Sequence, residues 1–162
     1  MNGFRVGFGF DVHRLEEGQP FWLGGIKVPH TKGSIGHSDA DTLIHAICDA
    51  MLGACALGDI GQHFPDNDPS LKGIDSKILL KKITALVAEQ GYELVNVDAT
   101  IALQKPKVAT FIPDMRKSLA DVIGVDVGQV SVKATTTEKL GFEGREEGVS
   151  AYAVVLLSKS NH

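Results

Sequence analysis

Residues 3–13 (GFRVGFGFDVH) alternate with period 2, as a strand does. Residues 20–29 (PFWLGGIKVP) read as two short strands folded about Gly24-Gly25. Ser38, followed three positions on by Asp41, resembles a capping box with Asp in place of the usual Glu. Beyond it Leu43, Ile44, Ile47, Met51, Leu52 and Cys55 recur at helical spacing. A second amphipathic helix is predicted over 75–90, stopped by Gly91, then a strand over 92–104 and a helix over 108–123 with Gly124 at its exit. Strands over 129–135 and 149–158 complete the chain. Helices and strands interleave without repeat or linker. That predicts a single domain over residues 1–162, an α/β (α+β) sandwich in which a mixed β-sheet carries helices on one face. Residues 58–74 (GDIGQHFPDNDPSLKGI) resist this scheme, and so long an aperiodic connection is usually functional or mobile.

Composition narrows the classes of partner. A chain of 162 residues, 43% apolar and 22% charged, can build an ordinary core without staples. Its 16 basic residues against 20 acidic ones give a net charge of −4, with acids spread over both halves. That excludes the basic face that nucleic acid or an anionic membrane calls for. The longest apolar run, Ala151 to Leu157, is far short of a membrane span. The opening MNGFRVGFGF lacks the pattern of a signal peptide, so a cytoplasmic location is expected. Cys48 and Cys55, two helical turns or about 10.5 Å apart, are too distant for a disulfide and read as small core residues.

Four groups of residues could carry chemistry. Asp11 and His13, two apart on a strand, share a face. His45 follows His37-Ser38-Asp39-Ala40-Asp41 on the second turn of a helix. Two His and one Asp are a tetrahedral zinc set with the fourth position open, and Asp41, at i−4, could hydrogen-bond the His45 imidazole. The Thr-rich strand end Thr135 to Thr137 could hold phosphate oxygens, with Glu138 available to a hard cation. Lys105 and Lys107 flank Pro106 as solvated lysines or as an anion clamp. No dinucleotide, P-loop, redox or nucleophile-elbow motif occurs.

In combination, GFGFDVH, GHSDADTLIHA, GDIGQHFPDNDP, GYELVNVDATI and VKATTTEKLGFEGREEG resemble the 2-C-methyl-D-erythritol 2,4-cyclodiphosphate synthase family of the non-mevalonate route to isoprenoids. The likeness runs from about Phe4 to Leu157. It implies a lyase that converts 4-diphosphocytidyl-2-C-methyl-D-erythritol 2-phosphate to the cyclic diphosphate and releases CMP. It also implies a homotrimer with sites at subunit interfaces. By the same resemblance, Asp11, His13 and His45 hold Zn²⁺ or another divalent transition metal, and Glu138 holds Mg²⁺ or Mn²⁺ at the diphosphate. His37 and Thr136 match residues that stabilise the transition state. Ser38, Asp59, Ile60, Gly61, Phe64, Pro65, Asp66 and Asp68 match the methylerythritol phosphate end. Leu103, Lys107, Val108, Ala109, Ala134 and Thr135 match the cytidine end, and Phe142 and Arg145 follow in the pattern. Phe10 and Arg145 match the lining of an axial cavity that in some members holds an isoprenoid diphosphate.

The implied reaction suits the residues. The substrate brings its own ionised nucleophile, so no Ser or Cys nucleophile is needed; geometry and charge cancellation are. The competing readings are a zinc phosphohydrolase and a nucleotide- or isoprenoid-binding regulator with structural zinc.

Overall fold

The computed structural model describes residues 3–160. Its strands are β1 (Phe4–Glu17), β2 (Trp22–Leu23), β3 (Ile26–Lys27), β4 (Lys32–Ser34), β5 (Tyr92–Ala102), β6 (Val130–Thr135) and β7 (Gly148–Lys159). The helices are α1 (Thr42–Ala54), α2 (Ile60–His63), α3 (Ser76–Glu89), α4 (Ile112–Ile123) and α5 (Gly141–Gly144). One five-stranded sheet has the order β4-β1-β7-β5-β6, and β2 and β3 form a separate hairpin. Only the β5–β6 pairing is parallel; the others in the large sheet are antiparallel, so the sheet is mixed as expected. No helix among the described residues is long and apolar enough to cross a membrane.

The alternation in β1 has a specific consequence. Gly7 and Gly9 face α1, and a Cβ on either would lie 1.8 Å from the carbonyl oxygen of Ala50 or Ala46. Only glycine lets the helix backbone approach so closely. Two strand residues advance about 6.8 Å and a helical turn about 5.4 Å, so strand and helix run past each other nearly in step. Gly7 meets Ala50 and Gly9 meets Ala46, and the next helix-facing residue, Asp11, therefore arrives opposite the first turn of α1.

The even-numbered side chains of β1 point the other way. Phe4, Val6, Phe8, Phe10 and Val12 stand exposed on the helix-free face, Val6 by 67% and Phe8 by 61%, with Tyr152 and Val154 of β7 beside them. The core lies between the opposite face and helices α1, α3 and α4, built from Leu43, Ile44, Ile47, Leu80, Ile83, Met115, Leu119 and the inward residues of β5 and β7.

Several boundaries differ from the sequence expectations. The helix expected over 108–123 opens as a 3-10 turn at Ala109–Phe111 and becomes α4 at Ile112, with Pro113 in its first turn. Gly124 ends it in the left-handed conformation, φ 82°. The hairpin about Gly24-Gly25 is as expected, with φ of 63° and 77°. The cap of α1 is Asp41 rather than Ser38. Its buried carboxylate accepts from Ile44 N at 3.0 Å, Gly24 N at 2.9 Å and Gly25 N at 2.7 Å, bolting the hairpin to the start of the helix. Residues 58–74 hold α2 and a 3-10 turn at Pro69–Leu71.

Candidate functional site

Asp11, His13 and His45 converge where β1 passes the first turns of α1. Asp11 Oδ2 lies 2.9 Å from His13 Nε2 and 3.2 Å from His45 Nδ1, and the two nitrogens are 3.2 Å apart. Those separations approach the ~3.3 Å edge of a tetrahedron with zinc bonds of about 2.0 Å. Oδ2 is buried yet makes no aligned hydrogen bond, despite its closeness to both rings. A buried carboxylate oxygen without a donor, aimed between two imidazole nitrogens, is what a cation ligand looks like. These three are the described residues that could hold a metal together.

Burial works to raise the Asp11 carboxyl, but the His13 and His45 imidazoles beside it outweigh burial and hold it below the ordinary range. For His13, burial works downward, and Asp11 together with the Ile35 carbonyl outweighs it, so the imidazole sits above its ordinary value. Each ring is also held from behind. His13 Nδ1 donates to Ile35 O at 2.8 Å. His45 Nε2 lies 2.9 Å from Ser76 Oγ and 3.1 Å from Ser38 Oγ. The expected partner of His45, Asp41, does not reach it. As the N-cap it has ψ of 94°, outside the helical range, and its carboxylate turns inward to the 24–25 hairpin.

The triad floors a concavity of about 510 Å³. His37, Ser38, Ile60, Gly61, Phe64, Pro65 and Asp66 line it with Asp11, His13 and His45, as do Gly36, Asn67, Leu71, Ile74 and Leu79, which the sequence did not single out. Asp59 and Asp68 border it as the caps of α2 and of the 69–71 turn, with carboxylates accepting from Gln62 N and Ser70 N. His37 Nε2 donates to the Asp68 carbonyl at 2.8 Å. A larger concavity, about 700 Å³, opens among Met51, Tyr92, Ile123 and Gln129 and holds none of the candidate residues.

The remaining candidates form a second group. Ala134, Thr135, Thr136 and Glu138 lie at or just past the end of β6, and Leu103 N–H donates to Thr135 O, placing the 103–109 segment beside them. None of these lines the triad's concavity. The strand order explains this: β6 is three strands from β1, about 14 Å across the sheet. Leu103 and Val108 are buried in the core, which leaves their backbone to a ligand, whereas Lys107 and Glu138 are exposed. Phe142 lies against His13 and Gly148 in a smaller depression. Arg145 is paired with Glu147, Nε to Oε1 2.9 Å, and Phe10 packs on Tyr152 at 5.2 Å between rings.

Sequence reasoning overlooked Ser76 and assigned Asp39 no role. Ser76 N–H and hydroxyl both donate to the Asp39 carboxylate. The signal was Asp39 within HSDAD, but its partner stands 37 residues away, where Asp75-Ser76 reads only as a helix start.

The YgbB family model matches residues 4–158. A protein of Porphyromonas gingivalis named 2-C-methyl-D-erythritol 2,4-cyclodiphosphate synthase is 68% identical over 154 residues, 95% of each chain. Among solved structures, the bifunctional IspDF of Campylobacter jejuni matches with a TM-score of 0.95 and 42% identity. That match covers 98% of this chain and 43% of the other. The CDP complex of Plasmodium falciparum IspF matches with a TM-score of 0.86 and 34% identity over 99% of both chains.

Proposed function

The chain belongs to the YgbB family, and on that premise we propose that it cyclises 4-diphosphocytidyl-2-C-methyl-D-erythritol 2-phosphate to 2-C-methyl-D-erythritol 2,4-cyclodiphosphate with release of CMP. It is a metal-dependent lyase of isoprenoid biosynthesis. The observation that carries this reading is the triad of Asp11, His13 and His45, one orphaned carboxylate oxygen and two imidazole nitrogens at the floor of a cleft.

An oxygen of the 2-phosphate attacks the β-phosphorus, the bond from that phosphorus to the bridging oxygen breaks, and CMP leaves. Asp11, His13 and His45 would hold zinc and Glu138 would hold Mg²⁺ or Mn²⁺, and these cations would supply positive charge and Lewis acidity to the phosphates. The residues do the rest. Ser38 and the amide of Gly61 hold the methylerythritol phosphate end, with Ile60, Phe64 and Pro65 walling it from water, while the Ile60 amide is spent on the Asp49 carboxylate. His37, at the mouth of the same cleft, donates to a phosphoryl oxygen once its bond to Asp68 O is released. Thr136 does so from the β6 end without adding charge. Backbone around Leu103, Val108 and Ala134, with Lys107, Ala109 and Thr135, receives the cytidine. The CDP bound by the Plasmodium falciparum relative supports a cytidine nucleotide as ligand.

In one chain the β6 end lies three strands, about 14 Å, from β1, which sets Thr136 and Glu138 apart from a diphosphate seated on the triad. The exposed apolar face of β1 and β7 supports the remedy, a homotrimer in which the β6 end of one copy completes the triad of its neighbour. Residues 1–162 then form one domain and a third of the working unit. Phe10 and Arg145 would line the trimer axis, where Arg145 could exchange Glu147 for an isoprenoid diphosphate. Such phosphorylated metabolites are made in the cell interior, which favours a cytoplasmic location.

The test is phosphorus NMR of the purified protein with the cytidine substrate, Zn²⁺ and Mg²⁺. Resonances of CMP and a cyclic diphosphate are expected; CMP with an open-chain methylerythritol carrying separate 2- and 4-monophosphates would make the protein a hydrolase, and no turnover would favour a binding protein.

A further inference from the structure

Zinc on Asp11, His13 and His45 leaves the Asp39–Ser76 pair behind His45 unexplained. Ser76 is fully buried in the first turn of α3, and its hydroxyl donates to Asp39 while standing 2.9 Å from His45 Nε2. We propose that Asp39, acting through Ser76, is a positioning residue that fixes His45 as its Nε2–H tautomer and so turns the Nδ1 lone pair to the metal. This rests on the metal-site reading.

An ionised carboxylate only accepts, so the Ser76 proton is committed to Asp39. The hydroxyl oxygen then has only lone pairs to offer His45, whose Nε2 must donate. A neutral imidazole protonated at Nε2 is bare at Nδ1, the nitrogen that faces Asp11 Oδ2 and His13 Nε2. His13 reaches the matching state by another route: Nδ1–H points at the Ile35 carbonyl, leaving Nε2 bare. Ser38 cannot make the choice for His45. It is farther away at 3.1 Å, and a hydroxyl with no fixed acceptor can donate or accept.

Asp39 is itself rigidly placed. Its N–H donates to Ile74 O, and its carboxylate accepts from Ser76 N at 3.0 Å and Asp41 N at 3.2 Å. In Asp39→Asn one acceptor becomes a donor. When that amide faces Ser76 Oγ, the Ser76 proton swings to His45 Nε2 and favours the Nδ1–H tautomer, with a proton where the metal binds.

The experiment measures zinc affinity of the metal-stripped protein against a chromophoric chelator for wild type, Ser76→Ala, Asp39→Asn, the double variant and Ser38→Ala. It is paired with ¹H–¹⁵N imidazole spectra of the zinc-loaded wild type. Each dyad substitution should weaken zinc about 10–100-fold. The double variant should lose no more than the weaker-binding single variant, because Asp39 acts through Ser76. Ser38→Ala should lose less than Ser76→Ala. The His45 Nε2 proton should be visible and exchange slowly with solvent. Dyad affinities within twofold of wild type, additive losses, or a larger loss in Ser38→Ala would overturn the proposal. A purely structural dyad would lower melting temperature and leave zinc affinity alone. Should the variants not fold, a freely exchanging Nε2 proton in the wild type overturns it equally. A wild type that binds no zinc would overturn the metal site itself.

Discussion

Asp41 shows how far one residue's role can lie from its neighbours in sequence. The local pattern puts the cap at Ser38, with Asp41 as the acid three positions on, yet it is Asp41 that caps α1. The choice is made by the amides of Gly24 and Gly25, which arrive from 17 and 16 residues upstream. Asp41→Ala would strand those two amides and uncap α1, so a loss of about 3 kcal/mol is expected. Calorimetry should read this as a melting temperature lower by roughly 6–12 °C, with an unchanged transition contradicting the role. The metal ligands were legible, because a residue type and a spacing define them; their supports, Ile35 O and Ser76, were not, because they come from other segments. Asp11 and His13 also set a pH dependence. Asp11, its pKa lowered, contributes stability above its ordinary value of about 3.9 and loses it as pH falls through the lowered one. His13, its pKa raised, contributes below about 6.5 and loses that as pH rises through the raised value. In the metal-free protein the pair is at full strength between those limits. Zinc must displace the His13 proton, so the melting temperature gained on adding zinc should be small near pH 5.5 and grow towards pH 8. A gain independent of pH would contradict the assignment of His13.

At the scale of elements, the strand over 3–13 was readable from its period, but the reason for its glycines was not. Gly7 and Gly9 are spaces for the backbone of α1, and through that contact they set where Asp11 and His13 meet the helix. Gly9→Ala puts a methyl against the carbonyl of Ala46, which no side-chain rotation relieves. A loss of at least about 3 kcal/mol is expected, together with loss of zinc binding as the helix is pushed from the strand. Denaturant unfolding checks the first and chelator competition the second; wild-type values in both would remove the glycines from the account. The 58–74 segment was opaque for a different reason. Its α2 and 3-10 turn span four and three residues, too short for any period to register. The acids Asp59 and Asp68, which the family resemblance assigns to substrate, spend their carboxylates on capping these turns. They position the loop whether or not they also touch the ligand.

For the whole molecule, the sheet with helices on one face followed from interleaved patterns, whereas strand order did not, since pairing depends on contacts among distant segments. That order separates the β6 end from the triad, and the bare face of β1 and β7 offers the means of joining them across subunits. Phe8→Glu, on that face, should give monomers by sedimentation and abolish turnover while leaving the fold intact by circular dichroism; an active monomer would contradict the shared site. A site built from two copies, as proposed, predicts that mixing His45→Ala with Glu138→Gln protomers after unfolding and reassembly restores about a quarter of the wild-type sites. No recovery would confine the site to one chain. In the proposed reaction the substrate's own phosphate, not water, attacks the β-phosphorus in the cleft above Asp11, His13 and His45. Turnover in ¹⁸O-enriched water, with both products analysed by mass spectrometry, tests it most directly. Unlabelled CMP and an unlabelled cyclic diphosphate are expected; ¹⁸O in CMP or in an open-chain phosphate product would mean that water is the nucleophile.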